Sequence, residues 1–352
     1  MINVLVVDDS AYMRRLLSDL LESSGQIKVV GVARNGHDAV AKNLRLQPDV
    51  VTLDIEMPEM DGLSALTQLM ETRPVPVMML SSYTQAGARE TLEALSRGAV
   101  DFIGKPDSPA QIQDPQLRQA IIDKVLQAAG VELSKLRSPI TTAPRGLRRE
   151  KRLWTPTAKK DLRVVAIGTS TGGPRALQEV ISRLPLDGQT AYLVVQHIPK
   201  GFTRTLAERL DSLAALTVQE ASVGPIQADH VYIAPGDYHL IVRLINGEPH
   251  IHLMQTEAVN GHRPAVDVLF HSLAEIRGLC KVAVILTGMG ADGAQGLAAL
   301  KAAGARTLAE DASTAVIFGM PKAAMMTGAV DRVVPLPEIP EAIVAGLAGR
   351  ES

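Results

Sequence analysis

The sequence predicts an α/β fold in two successive parts, each built on a doubly wound parallel sheet, and three observations lead there. Short β-branched apolar runs alternate with amphipathic segments of helix length, and the alternation occurs twice. The runs are too uniformly apolar to show a period of two, as expected of parallel strands covered by helices on both faces. The length of 352 residues also exceeds one ordinary core, at about 150 residues per domain.

In the first part the runs are INVLVV, VVGVA, DVVTL, VPVMML and VDFIG, five strands between residue 2 and about residue 105. Leu117, Ile121, Ile122, Val125 and Leu126 then recur at helical spacing over 114–129, and Gly130 ends the pattern, so a closing helix is expected. From 131 to 161 the apolar rhythm disappears. Pro139, Pro144 and Pro156 interrupt, and Arg145, Arg148, Arg149, Lys151, Arg152, Lys159 and Lys160 cluster, which reads as an interdomain linker. A nucleic-acid patch competes, but it would want aromatic residues among the charges, and Trp154 stands alone.

From 162 the second alternation begins, with LRVVAI, TAYLVVQ, KVAVIL and ARTLA as strands and helices near 174–184, 201–213, 264–277 and 293–303. The stretch HVYIAPGDYHLIVRLINGEPHIHLM has Gly, Asn and Pro turns between short strands and no helix, so an antiparallel hairpin edging the second sheet is expected.

Composition narrows the function classes. Apolar residues make up 46 % and charged residues 21 %, a soluble globular balance that excludes wholesale disorder. The net charge of −2 gives no global field toward nucleic acid or anionic lipid. Cys280 is the only cysteine, so neither an intrachain disulfide nor a thiol-built metal site is available, and a cytoplasmic location is expected. Met1 leads directly into INVLVVDDS without the parts of a signal peptide, and nowhere do 18 apolar residues run together, so neither secretion nor membrane insertion is expected.

In the first part, Asp8 and Asp9 follow the first strand and Asp54 follows the third, at the carboxyl edge where a parallel sheet forms its crevice. Carboxylates so placed repel one another and call for a divalent cation, and an all-oxygen donor set suits Mg²⁺. An aspartate beside Mg²⁺ can attack a phosphoryl group, which makes Asp54 the candidate phosphoacceptor. Ser81 and Lys105, at two further strand ends, bring a hydroxyl and an ammonium suited to phosphoryl oxygens. With DDS, TLDIEMPEMDG, MLSS and GKP in place, residues 2–125 resemble a response-regulator receiver domain, a flavodoxin-like fold. The resemblance places Phe102 at the family's aromatic switch position; from spacing alone a plain core phenylalanine is an equal reading.

In the second part, VVAIGTSTGGP (164–174) is a strand ending in a small-residue turn before a helix with Pro174 near its start. A phosphate cradle is one reading, but GTSTGG lacks the Walker lysine and the GxGxxG spacing. A nucleophile turn suits it better, with Ser170 at the tip beside amide donors at the helix start. A serine needs a base and the base an orienting group. His197 follows the next strand and Asp292 follows KVAVIL, while His230, His239, His252 and His262 are rival bases without so strong a strand before them.

The stretches IGTSTGGP, QHIPKGFTRTLAERL, YIAPGDYHL, HRPAVDVLF, ILTGMGADGAQGL and FGMPKAA make residues 162–345 resemble the catalytic domain of the chemotaxis protein-glutamate methylesterases, the CheB family. The resemblance implies a Rossmann-like esterase domain at 162–349 behind a receiver at 1–125, with the closing helix end and linker at 126–161. It implies the triad Ser170, His197 and Asp292, with Thr171 and Met289 as oxyanion or supporting groups. It implies demethylation, and deamidation of glutamines, on methyl-accepting chemotaxis receptors, with a chemotaxis histidine kinase as phosphodonor. Mg²⁺ is expected in the receiver and no cofactor for ester hydrolysis, and the unphosphorylated receiver is expected to lie over the esterase crevice. Glu310 stands where the family usually has Gln and Ala265 where Ser is common, departures expected to touch substrate contacts. A regulator with a non-enzymatic, DNA- or partner-binding output domain is the alternative, but it lacks a basic recognition helix and leaves the TSTGG turn without a role.

Overall fold

The computed structural model describes residues 1–82, 84–105, 114–137 and 162–349. The chain divides into two compact units, Met1–Ser138 and Pro139–Ser352. Most of the stretch read as a linker, including Trp154 and the basic cluster from Arg145 to Lys160, lies outside the described residues.

The first unit runs β1 (Ile2–Val7), α1 (Ala11–Glu22), β2 (Ile27–Ala33), α2 (Gly36–Leu46), β3 (Val50–Asp54), α3 (Gly62–Thr72), β4 (Val77–Ser81), α4 (Gln85–Ser96) and β5 (Asp101–Gly104). The strands form a parallel sheet in the order β2-β1-β3-β4-β5. Each of the first four helices starts where a side chain can take up an orphan backbone N–H: Ser10, Asn35, Asp61 and Thr84 all cap in this way. The expected closing helix is α5 (Pro115–Ala128), which buries Ile121, Ile122 and Val125. A short helix α6 (Leu133–Arg137), with Leu136 buried, occupies the start of the stretch read as linker. Five residues are too few to leave a helical period in the sequence.

The second unit runs β6 (Arg163–Thr169), α7 (Gly173–Ile181), β7 (Thr190–Gln196), α8 (Phe202–Asp211), β8 (Thr217–Glu220), β9 (Gly224–Pro225), β10 (His230–Ile233), β11 (His239–Ile245) and β12 (Glu248–Met254). It continues with α9 (Val266–Ala274), β13 (Cys280–Ile285), α10 (Ala294–Ala302), β14 (Arg306–Glu310), α11 (Met320–Met326), β15 (Arg332–Val334) and α12 (Ile339–Leu347). Seven strands form a parallel sheet in the order β15-β14-β13-β6-β7-β10-β8.

The hairpin is present but does not edge this sheet. The HVYI run is β10, an interior parallel strand between β7 and β8, whereas β11 and β12 pair with β9 in a separate three-stranded antiparallel sheet. The physical reason is burial. Leu240, Val242 and Ile251 of the hairpin join the same apolar core as Leu269 and Phe270 of α9, so its inner face packs on a helix instead of extending the ladder. The edge strands β8 and β15 have four and three residues, too short and polar to stand out in the sequence. The chain leaves β6 for β7 on one side and later returns to β13 on the other, and this reversal opens a crevice at the carboxyl ends of β6 and β13.

Candidate functional site

In the first unit, parallel register brings the acidic residues together. Val7 pairs with Leu53, so Asp8 and Asp54 emerge side by side, and Ser81 pairs with Gly104, next to Lys105. One carboxylate oxygen from each of Asp8, Asp9 and Asp54 lies within 4.8 Å of the others. Asp8 and Asp54 are buried and Asp9 is exposed. Lys105 Nζ stands 3.0 Å from Asp8 Oδ2 and 2.7 Å from Asp54 Oδ2. Neither oxygen accepts a hydrogen bond of proper geometry, so two buried carboxylate oxygens face one ammonium with lone pairs to spare. That donor set fits a hard divalent cation.

Burial pushes the Asp54 carboxyl up to about 6; Lys105 opposes the rise and Asp8 adds to it. Gly62 closes the loop after β3, and a Cβ there would fall 2.1 Å from the Asp54 carbonyl oxygen. The cleft beside Asp54, about 610 Å³, is lined by Glu56, Asp61, Glu90 and Lys105 among others. Ser81 is turned into α4, where its Oγ accepts from the Thr91 hydroxyl at 2.7 Å. Phe102 is buried in β5, with Lys124 Nζ 5.4 Å from its ring centre.

In the second unit, β6 and β7 pair as far as Thr169 and Gln196, so Ser170 and His197 are the next residues on adjacent strands. Ser170 begins a tight turn into α7. Gly172 has φ +80°, and a Cβ there would fall 2.8 Å from Val316 Cβ, so both conformation and space demand glycine. The turn is tied down through its backbone: the Ser170 N–H donates to the Thr287 carbonyl at 3.0 Å, and Gln196 Nε2 donates to the Ser170 carbonyl at 2.9 Å.

The third residue arrives on the loop between β13 and α10. His197 Nε2 lies 2.8 Å from Asp292 Oδ2. The same carboxylate accepts the backbone N–H groups of Val266 at 2.6 Å and Asp267 at 3.1 Å, at the start of α9. Burial raises the Asp292 carboxyl, but the hydrogen bond and charge of His197 and the two amides outweigh it, leaving about 2. Asp292 is therefore a carboxylate at any ordinary pH. His197 Nδ1 is buried and makes no hydrogen bond. Ser170 and His197 are neighbours by register, and no hydrogen bond joins their side chains, a looseness common before substrate binds.

The loop that carries Asp292 also forms the wall beside the serine. A Cβ on Gly288 would fall 2.8 Å from Ser170 Cβ and 3.0 Å from its backbone nitrogen. Next to it, the Met289 amide has no hydrogen-bond acceptor among the described residues, and Met289 as a whole is half-buried. Thr171 is buried, and its carbonyl accepts the Thr287 hydroxyl at 2.9 Å. Thr287 is the hub of this wall, and its own N–H donates to Glu310 Oε2 at 2.7 Å.

Thr287, Gln196 and Asn260 escaped sequence reasoning, and other residues take roles different from those expected. Glu310 and Ala265, expected near substrate, are both fully buried: Glu310 braces Thr287, and the Ala265 N–H donates to His239 Nδ1 at 3.2 Å. Among the rival bases, His239 is thereby tied to the interior, and His262 stacks on His197. Asn260 donates to Asp292 Oδ1 at 3.2 Å. The Asn260-Gly261 pair is legible as a turn, but nothing in the sequence says what it covers.

Comparison with known proteins bears on both sites. The profile of the CheB methylesterase family matches residues 165–343, and that of the response regulator receiver domain matches residues 4–116. A protein-glutamate methylesterase/protein-glutamine glutaminase of Geobacillus kaustophilus is 49 % identical over 349 residues, covering 97 % of this chain and 98 % of its own. One of Symbiobacterium thermophilum is 48 % identical over 353 residues, covering 97 % of this chain and 96 % of its own. The crystal structure of the Thermotoga maritima CheB methylesterase catalytic domain is similar with a TM-score of 0.51 at 45 % identity, covering 53 % of this chain and 98 % of that one.

Proposed function

This chain belongs to the CheB methylesterase family, and from that premise we propose that it is a phosphorylation-activated serine hydrolase acting on methyl-accepting chemotaxis receptors. It hydrolyses glutamate γ-methyl esters to glutamate and methanol, and deamidates specific glutamines by the same acyl chemistry. The carrying observation is the His197–Asp292 hydrogen bond beside a serine held on a strand-to-helix turn.

In this reading residues 162–349 are the catalytic domain. Ser170 Oγ attacks the ester carbonyl while His197 Nδ1 takes its proton, and the imidazolium so formed is stabilised by Asp292 through Nε2. The Met289 amide, with Thr171, supports the oxyanion. His197 returns its proton to the leaving methoxide, then takes one from the water that hydrolyses the acyl-enzyme. With a glutamine substrate the same proton leaves with ammonia.

Residues 1–125 are the receiver. Asp8, Asp9 and Asp54 would hold Mg²⁺, which supplies charge neutralisation for a phosphoryl group approaching a carboxylate. Asp54 accepts the phosphoryl group from a chemotaxis histidine kinase, Lys105 pairs with its oxygens, and Ser81 and Phe102 relay the change. The absence of a membrane-crossing helix among the described residues is compatible with action in the cytoplasm.

The test is incubation with methyl-labelled receptor membranes, with and without a small-molecule phosphodonor. Methanol release that rises with phosphodonor is expected. No release under either condition would favour a non-enzymatic output module, a reading the family match does not support.

A further inference from the structure

Residues 259–262 fold into a tight turn that touches both members of the His197–Asp292 pair. Val259 and His262 exchange backbone hydrogen bonds of 3.0 and 2.9 Å, and the two central residues are left-handed, Asn260 at φ 54° and Gly261 at φ 78°. This is the geometry of a primed turn, which Asn-Gly adopts with least strain. From it Asn260 Nδ2 donates to Asp292 Oδ1 at 3.2 Å and to Asp267 Oδ2 at 3.0 Å. The His262 ring lies on the His197 ring with centroids 3.8 Å apart and planes 7° from parallel.

The His197 ring has one side-chain hydrogen bond, to Asp292, because Nδ1 has no partner. The Cβ–Cγ bond and this hydrogen bond hold the ring at two points, and rotation about the line between them remains. A flat contact with His262 opposes that rotation, since turning the His197 ring would drive its edge into the neighbouring face. Asn260 acts on the other half of the pair. With the His197 ring, the Val266 and Asp267 amides and Asn260, the Asp292 carboxylate faces four donors. The turn itself is anchored: Arg263 Nε donates to Asp237 Oδ1 at 3.0 Å, and the Asp237 N–H donates to the Arg263 carbonyl at 3.1 Å.

We propose that this turn is a positioning clamp for the catalytic pair, with His262 fixing the plane of His197 by stacking and Asn260 fixing the carboxylate of Asp292. The inference rests on the hydrolase reading above. His262 acts through His197 and is a positioning residue, so flatness rather than basicity is what it must supply.

The test uses the full-length enzyme and methylated receptor membranes, with His262→Ala, His262→Phe and Ser170→Ala compared to wild type. His262→Ala should lower kcat about tenfold or more, since small misplacements of a catalytic group are costly, with KM within about twofold. His262→Phe should recover kcat to within about threefold of wild type, because it restores a flat ring without a titrating group. A second readout does not depend on turnover: the low-field NMR resonance of the proton between His197 and Asp292 should survive in His262→Phe and broaden by exchange in His262→Ala. Unchanged kcat in His262→Ala, a rise in KM alone, or a phenylalanine variant as impaired as the alanine one would overturn the clamp. If His262→Ala fails to fold, an impaired His262→Phe alone overturns it. Full activity in Ser170→Ala would instead overturn the hydrolase reading, so the two failures are separable.

Discussion

His197 meets Asp292 through Nε2, at 2.8 Å, which leaves Nδ1 as the ring nitrogen for the proposed proton transfer. The ring is thus used in the opposite sense from the serine-protease arrangement, where Nδ1 faces the aspartate. His197 is the first residue past β7 and Ser170 the first past β6, so the two stand at adjacent strand ends.

Replacing the proposed nucleophile isolates the chemistry. Ser170→Ala should reduce methanol release from methylated receptors on the order of a thousandfold or more, with an unchanged circular dichroism spectrum. Retained turnover would remove Ser170 from the reaction.

The depressed carboxyl of Asp292 gives a pH signature. Its value falls from 3.8 to about 2 in the folded protein. A lowered carboxyl stabilises the fold above its unfolded value and loses that contribution as pH falls toward the folded one. Urea titrations should therefore show Asp292→Asn less stable than wild type by about 2 kcal/mol at pH 7, with the gap narrowing between pH 4 and pH 2. A gap independent of pH would contradict the ionised, hydrogen-bonded carboxylate.

Crowding beside Ser170 predicts a strict requirement for glycine at position 288. In Gly288→Ala the added methyl would lie 2.3 Å from Met320 Sδ and 2.8 Å from Ser170 Cβ. Met320 can shift, but the Ser170 turn is held by its backbone. The substitution should cost about 1–3 kcal/mol by overpacking and lower kcat on the order of a hundredfold. Denaturation midpoints and steady-state rates measure both, and near-wild-type rates would mean the serine has room to move.

The receiver should be separable from the hydrolysis it controls. Asp54→Asn, or chelation of Mg²⁺ in the wild type, should abolish the rise in rate caused by phosphodonor while leaving the unstimulated rate in place. Stimulation surviving either treatment would place the regulatory phosphorylation elsewhere.

Much of this was legible in the sequence because it depends on short-range rules. The parallel strands declared themselves as uniformly apolar runs, and Asp8, Asp54, Ser170 and His197 each sit at the end of such a run, where a parallel sheet gathers its functional groups. The strands β8 and β15 left no signal, because short edge strands need few apolar residues to stay paired.

The sequence by itself determined the two α/β units, their strand-end residues and the family resemblance, because periodicity and motif spacing are local properties of the chain. Tertiary structure alone decided that the hairpin forms its own sheet, that Glu310 is buried behind Thr287, and that the turn bearing Asn260 and His262 closes over Asp292 and His197. Those contacts join residues far apart in sequence, 65 positions apart for the two stacked histidines. Such pairings are set by which apolar faces pack against each other, and no local pattern in the chain encodes that choice.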